Sequence, residues 1–274
     1  MAWLVTGAAR GLGLEIARAA LAEGHAVIAT ARDEERVAEA LADAPADRLL
    51  AARLDVGDRV GAEAVVAAGE LRFGSIDVLV NNAGFGLLGT VEEVSDAEAR
   101  AIFDTNVFGL LTVTRAVLPG MRRRGSGRIL NIGSMAGFDV SASWALYAAS
   151  KFAVEAISDG LRLELAPLGI HATVVEPGLL RTDFLDDSSL RRAERTIEDY
   201  GMAGVRDWAD ANNRAQPGDP VKAARAIVAL ATIAEPPARL PLGDDAIACI
   251  EGKLERVAGE LERWRPLADV ALDD

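Results

Sequence analysis

Thr6-Gly7-Ala8-Ala9-Arg10-Gly11-Leu12-Gly13 decides the fold of this 274-residue chain. The apolar run Ala2-Trp3-Leu4-Val5 before it reads as a strand buried in a parallel sheet, and Leu14–Leu21 after it reads as a helix. A strand, a glycine turn and a helix N-terminus together form a pyrophosphate site, because backbone N–H groups and the positive end of the helix dipole face the anion. Glycine is needed there, since a side chain would hold phosphates away from the backbone. The spacing Gly-x-x-x-Gly-x-Gly departs from the commoner Gly-x-Gly-x-x-Gly of dinucleotide folds, so its place directly after the first strand carries the weight.

Ala26-Val27-Ile28-Ala29-Thr30-Ala31 is a second apolar strand, followed by Arg32. In the usual βαβ unit an acidic residue near this point holds the adenosine ribose hydroxyls and favours NAD. Ala31 and Arg32 stand there instead, with Arg10 in the glycine turn, and two guanidinium groups suit a 2′-phosphate. A charge-assisted hydrogen bond is worth roughly 1.5–3 kcal/mol, so one arginine suffices for a preference of about 10- to 150-fold. NADP(H) is therefore the expected cofactor, with NAD(H) left open. The competing explanation is that Arg32 simply opens a solvated helix with Asp33, Glu34, Glu35 and Arg36.

Further strand-like runs fall at Leu49–Leu54, Ile76–Asn81, Arg128–Ile132 and Ile170–Val175, with helical patterns such as Glu98–Met121 and Leu146–Leu165 between them. Alternating strands and helices imply an α/β fold: a Rossmann-like, doubly wound parallel sheet with helices on both faces and ligands at the carboxyl ends of the strands. The absence of repeats, low-complexity tracts and long linkers predicts a single domain over residues 1–274. A net charge of −13 argues against nucleic acid and anionic membrane partners. The basic cluster Arg122-Arg123-Arg124 reads as a helix end. No window resembles a signal peptide, no uninterrupted apolar stretch is expected to span a bilayer, and the lone Cys249 suits a reducing cytoplasm as a small core residue. His25 and His171 lack metal-site spacing, and there is neither a Gly-x-Ser-x-Gly elbow nor a phosphate-loop lysine.

Tyr147 and Lys151 stand four residues apart in a helical pattern and so share a face. Tyrosine ionises near pH 10; an ammonium about 4 Å away stabilises phenolate by roughly 1–4 kcal/mol and would lower that by about one to three units. Ser134 follows the Arg128–Ile132 strand, at its carboxyl end, where its hydroxyl can hold a substrate oxygen. Asn81-Asn82-Ala83-Gly84 follows the fourth strand and reads either as an ordinary turn or as a stiff corner beside a cofactor.

Four blocks, Thr6–Gly13, Asn81–Gly84, Ser134 with Tyr147-Ala148-Ala149-Ser150-Lys151, and Pro177-Gly178 with Thr182, resemble the short-chain dehydrogenase/reductase family in its compact single-domain branch, over roughly residues 1–182. The resemblance implies a catalytic set of Asn106, Ser134, Tyr147 and Lys151, Tyr147 exchanging the proton of a carbonyl/alcohol pair. It implies that Lys151 also binds the nicotinamide ribose and that Asn106 supports a water chain to it. For the cofactor it implies Thr6, Gly7, Gly11, Leu12 and Gly13 at the pyrophosphate turn, and Asp55 and Val56 at the adenine. Asn82, Ala83 and Gly84 would lie beside the cofactor, and Pro177, Gly178 and Thr182 at its nicotinamide. A helix N-cap is the rival role for Asp55.

Beyond Thr182, the stretch 183–216 mixes charges with Phe184, Leu185, Leu190, Tyr200, Met202 and Trp208, and is expected to form short helices as a lid with an apolar underside. Phe85, Phe138, Trp144, Leu179 and Phe184 are candidates to line a pocket for a hydrophobic ketone, aldehyde or secondary alcohol. Arg239–Gly243 reads as a last strand, and 244–265 as a helix whose apolar stripe Ile247, Ile250, Leu254, Val257, Leu261 and Trp264 is expected to pack on its own domain. A subunit contact is the alternative for that stripe. The family's homodimer contact, through the helices bearing Asn106 and Tyr147, stays open. The expected activity is an NADP(H)-dependent carbonyl reductase or alcohol dehydrogenase; the alternative is a catalytically silent NADP-binding sensor or scaffold of the same fold.

Overall fold

The computed structural model describes residues 1–268 and 270. Nine strands are present among them: β1 (Ala2–Thr6), β2 (Ala26–Ala31), β3 (Leu49–Arg53), β4 (Val78–Asn81), β5 (Gly86–Leu88), β6 (Gly127–Ile132), β7 (Ile170–Pro177), β8 (Leu190–Arg192) and β9 (Arg239–Leu242). The helices are α1 (Gly11–Ala22), α2 (Glu34–Ala40), α3 (Arg59–Phe73), α4 (Asp96–Phe103), α5 (Leu110–Arg124), α6 (Ala145–Leu165), α7 (Ala203–Asn212), α8 (Pro220–Ala229) and α9 (Asp244–Trp264). Seven strands form one parallel sheet in the order β3-β2-β1-β4-β6-β7-β9. The fold is thus the doubly wound, Rossmann-like α/β sheet expected.

Alternation along each strand divides the core between the two faces. Trp3, Val5, Val27 and Ala29 point toward α1, α2 and α8, meeting Ile16, Val37 and Ile227. Leu4, Ile28, Leu79 and Ile129 point the other way, toward Val66 of α3, Val113 and Val117 of α5 and Leu161 of α6. Between β1 and β4 the order reverses direction, which opens a crevice at the carboxyl ends of the strands. A buried polar chain locks the same region: Asn81 Nδ2 donates to Thr114 Oγ1 and to Asn131 Oδ1, each at 2.9 Å, and Asn131 Nδ2 donates to Ser158 Oγ at 2.9 Å. It ties β4, β6, α5 and the helix bearing Tyr147 into one unit.

Four features depart from expectation. The pattern read as one helix over Glu98–Met121 is continuous in outline, but a π-helical segment at Asp104–Gly109 separates α4 from α5. By length and composition the 29-residue stretch Asp96–Arg124 could cross a membrane, contrary to the expectation above. Asp104 and Arg115 interrupt it, and Ile102, Val113, Val117 and Met121 pack into the cores described. In α9 the apolar stripe is not covered by its own domain, since Leu254, Leu261 and Trp264 are all more than half exposed. Finally, β5 and β8 form a small parallel sheet that no local pattern announced.

Replacing Asn131 with Ala removes one hydrogen bond from the Asn81 amide, which keeps Thr114, and one from the Ser158 hydroxyl, which keeps the Val154 carbonyl, at about 1–3 kcal/mol for each buried bond lost. Urea denaturation of Asn131→Ala is expected to show a loss of roughly 2–5 kcal/mol.

Candidate active site

Gly7 (φ +67°) and Gly11 (φ +54°) hold the β1–α1 turn in left-handed conformations that favour glycine. A Cβ on Gly13 would run into the Asn82 side chain and the Gly7 carbonyl. The α1 N-terminus has no side-chain cap from Arg10 and no acidic residue in its first turn, so its N–H groups face the cleft ready for an anion. Gly7, Arg10, Gly11, Leu12 and Gly13 line this cleft. Thr6 does not: it is buried, and its hydroxyl accepts the N–H groups of Asn82 and Ala83 at 3.0 Å each. It therefore fixes the Asn81–Gly84 corner. Asn82 completes the tie by donating to the Thr6 and Gly7 carbonyls at 2.9 and 3.2 Å, so the corner is built and is not an ordinary turn.

Arg10 is also placed differently. Its guanidinium pairs with Asp183 at 2.8 Å and donates to the Ser188 carbonyl at 2.6 Å, reaching across the cleft and away from the end of β2. Arg32 lies at that end, exposed and without an ion-pair partner among the described residues. Arg53, unnoticed in the sequence, flanks the same recess; it ends β3 and pairs in register with Ala31. The signal was available, because a parallel neighbour of β2 that ends in arginine must bring it beside Arg32. Asp55 and Val56 line the cleft. The cap of α3 is Asp58, which leaves Asp55 holding only the Gly57 N–H at 3.0 Å.

Ser134, Tyr147 and Lys151 converge on the same cleft from β6 and α6. Tyr147 and Lys151 are both buried. Burial pushes the Tyr147 phenol up to about 12, with the Ser134 hydroxyl pulling it back. Burial also brings the Lys151 amine down to about 8, opposed by the charge of Glu155. The expected lowering of the phenol by lysine is thus not met: Lys151 Nζ sits 5.9 Å from the ring centroid and donates to the Ile132 carbonyl at 2.7 Å, and desolvation dominates both groups. Asn106 lies in the π-helical segment, buried and not facing solvent. Its amide spans Phe85 N and O at 3.1 and 3.0 Å and donates to Ser150 Oγ at 3.1 Å. The Ser150 hydroxyl donates to the Tyr147 carbonyl at 2.7 Å, which connects the π segment to the tyrosine's turn.

Ser134, Tyr147 and Lys151 face one continuous cavity of about 1460 Å³, whose lining does not include Asn106; it is larger than the 300–1,000 Å³ typical of a single small-ligand pocket. Ala83, Gly84, Pro177, Gly178 and Thr182 line it, as do Phe85, Trp144, Leu179 and Phe184; Phe138 does not. Cys249, expected in the core, is half-buried at the cavity wall. The 183–216 stretch covers one side, with Phe184, Leu185 and Leu190 packed on Leu88, Trp144 and Ala209. The β5–β8 pairing fixes it in place. Thr182 caps the short helical turn Asp183–Leu185 and so joins this stretch to β7.

A glycine turn and a Ser-Tyr-Lys set at the strand ends of a parallel sheet define a class of dinucleotide-dependent oxidoreductase. Comparison with known proteins places the chain within that class. A family profile described as short chain dehydrogenase matches residues 2–193. Oxidoreductase BOA17 of Botryotinia fuckeliana is 34% identical over 269 residues, which cover 97% of each chain. The crystal structure of a short-chain dehydrogenase from Streptomyces avermitilis superposes with a TM-score of 0.89 at 41% identity, covering 97% of this chain and 98% of that one. The closed form of a serine dehydrogenase complexed with NADP+ superposes at 0.76 with 35% identity, over 88% and 94% of the two chains. The chain belongs to the short-chain dehydrogenase/reductase family and is an oxidoreductase.

Gly13→Ala forces the turn apart from Asn82. It is expected to weaken NADPH binding at least tenfold by fluorescence titration while costing about 1–3 kcal/mol of stability.

Proposed function

We propose that the protein is an NADP(H)-dependent dehydrogenase/reductase that interconverts a carbonyl and an alcohol, with Tyr147 as general acid/base. The observation that carries this reading is the convergence of Tyr147, Ser134 and Lys151 on the cavity that the glycine turn opens into. The residues fit the cofactor: an uncapped helix N-terminus for the pyrophosphate, Arg32 and Arg53 for a 2′-phosphate, and Asp55 with Val56 for the adenine. The NADP+ carried by the related serine dehydrogenase supports the same choice. The cofactor supplies the hydride.

The chain's own residues handle the proton. Ser134 holds the substrate oxygen and stabilises charge growing on it. A phenol held neutral by burial is suited to donating: Tyr147 gives its proton to that oxygen in reduction and recovers it in the reverse direction. Lys151, fixed by the Ile132 carbonyl, sets its charge beside the phenol and reaches the nicotinamide ribose. Asn106 braces the Gly84–Phe85 backbone against α6 through Ser150. The 183–216 stretch is the lid, and Arg10 with Asp183 and Ser188 joins it to the glycine turn. Phe85, Trp144, Leu179 and Phe184 favour a hydrophobic ketone or aldehyde. Exposed Phe108, on the segment bearing Asn106, and exposed Phe152 and Leu163 on α6 support the homodimer contact.

The test is NADPH oxidation against hydrophobic ketones and aldehydes, with serine oxidation run in reverse. Tyr147→Phe is expected to cut kcat by about 10²–10⁴ with NADPH affinity held within a few-fold. Turnover unaffected by this change would sink the mechanism, whereas tight NADPH binding without any turnover would favour the silent sensor. Arg32→Asp is expected to reduce or reverse the preference for NADPH over NADH, and an unchanged preference would remove Arg32 from the 2′-phosphate site. Reduction needs Lys151 charged, so its rate should fall as pH rises through about 8.

A further inference from the structure

Lys151 is buried, yet among the described residues no carboxylate comes within ion-pair distance of it. A buried ammonium needs a counter-charge. One helical turn on, Glu155 lies under the catalytic loop: a Cβ on Gly133 would stand 3.0 Å from its Oε1, and one on Gly137 3.2 Å from its Cγ. Glu155 is 6% exposed, and Glu176, at the end of β7, is fully buried. None of their four carboxyl oxygens has a hydrogen-bond partner. Arg239 of β9 brings Nε to 3.2 Å from Glu155 and ion-pairs with Asp159.

We propose that Glu155 is a positioning residue for proton transfer: with Glu176 and Arg239 it forms a buried charged cluster, one proton shared between the two carboxyls, that governs whether Lys151 carries its charge. The charges balance on that assignment. Lys151 and Arg239 are positive, Asp159 is negative, and the pair with one proton supplies the second negative charge. The ionisable groups facing the cluster are Lys151 and Asp159 from α6, Glu176 from β7 and Arg239 from β9, while the turn Met135–Gly137 offers none. Burial and the neighbouring Glu176 push Glu155 up to about 8, and burial raises Glu176 as well. Glu155 therefore gains its charge in the range where Lys151 would otherwise lose its own. The inference rests on the role given to Lys151 above.

The chain has three lysines, Lys151, Lys222 and Lys253, so the ionisation of Lys151 can be read without a substrate. Whole protein is labelled with trace acetic anhydride across pH 6–11, and acetylation of each lysine is followed by peptide mass spectrometry. Glu155→Gln is expected to move the Lys151 curve down by about one pH unit, the scale of losing one nearby opposite charge. Glu176→Gln frees Glu155 to ionise sooner and should leave the curve in place or move it up. A Lys151 curve unmoved in Glu155→Gln overturns the proposal, as do equal downward shifts in both variants, which would mean general loosening. Should Glu155→Gln not fold, Glu155→Asp takes its place, with a smaller downward shift expected and an unmoved curve again overturning the proposal.

Thermal unfolding gives an independent reading. A carboxyl raised in the folded state contributes stability that is present below its ordinary value and lost as pH rises through about 8. The Tm of the wild type should therefore fall between pH 5 and 8 more than that of Glu155→Gln, and parallel curves count against the shared proton. Failures separate cleanly. An unmoved labelling curve with turnover that depends on Tyr147 sinks this inference alone, and a shifted curve without such dependence sinks the functional reading alone.

Discussion

The Asn82 amide donates two hydrogen bonds to the carbonyls of Thr6 and Gly7, and this tie between the ends of β1 and β4 is what the site depends on. Parallel strands leave a crevice where their order reverses, but a crevice alone has no fixed floor. Thr6 answers with its hydroxyl on the other side of the tie, taking the N–H groups of Asn82 and Ala83. Gly13 has no side chain because the tie fills the space a Cβ would need. The glycine turn and the Asn81–Gly84 corner are therefore one object. Asn81 continues that object inward through Asn131 to Ser158, on the helix that carries Tyr147 and Lys151. The glycine turn and the helix bearing Tyr147 are registered through side-chain amides as well as through the sheet.

That rigidity has an electrostatic consequence. Holding Tyr147 and Lys151 in a packed wall removes them from water, and the neutral forms of both gain. A lysine is expected to acidify a neighbouring phenol, but at 5.9 Å from the ring its attraction does not overcome the loss of solvent around either group. The phenol is left protonated, and the amine loses its proton near pH 8. Burial thus keeps the proton on Tyr147 in the absence of other charge nearby. It also places unusual weight on whatever charge lies behind Lys151.

The sheet was legible because buried parallel strands leave continuous apolar runs. Ala26–Ala31 has the bounds read from sequence, and the others shift by a residue or two. The residues at the ends of those runs were legible for the same reason: chain order and strand direction deliver Ser134, Asn82 and Pro177 to one edge. What escaped depends on contacts far apart in sequence. Arg10 looked like a phosphate ligand by its place in the turn, but an aspartate 173 residues later claims its guanidinium. Thr6 looked like part of the cradle, yet its hydroxyl faces the corner. The π-helical segment around Asn106 left no local pattern that was read, and its contacts, to Phe85 and Ser150, are remote in sequence. The pairing of β5 with β8 joins two three-residue strands too short to leave a period.

The same distinction explains α9. Its stripe of Ile247, Leu254, Val257, Leu261 and Trp264 has the periodicity of a packed helix, and periodicity alone states that one face is apolar, not what covers it. Only the first turns are held: Asp245 accepts the Leu179 N–H at 2.7 Å, and Lys253 and Arg256 pair with Asp139. These contacts fasten the helix where β7 and β9 end, and they put Cys249 at the cavity wall. Past Arg256 the helix leaves the body, and Leu261 and Trp264 stay in water. Its proximal half is therefore part of the substrate side of the cleft, positioned by Asp139 and Gly178. Gly178 must be a glycine here, because a Cβ would occupy the space taken by the Asp245 carboxylate. The Pro177-Gly178 pair lines the cavity and also lets the last helix close against the end of β7.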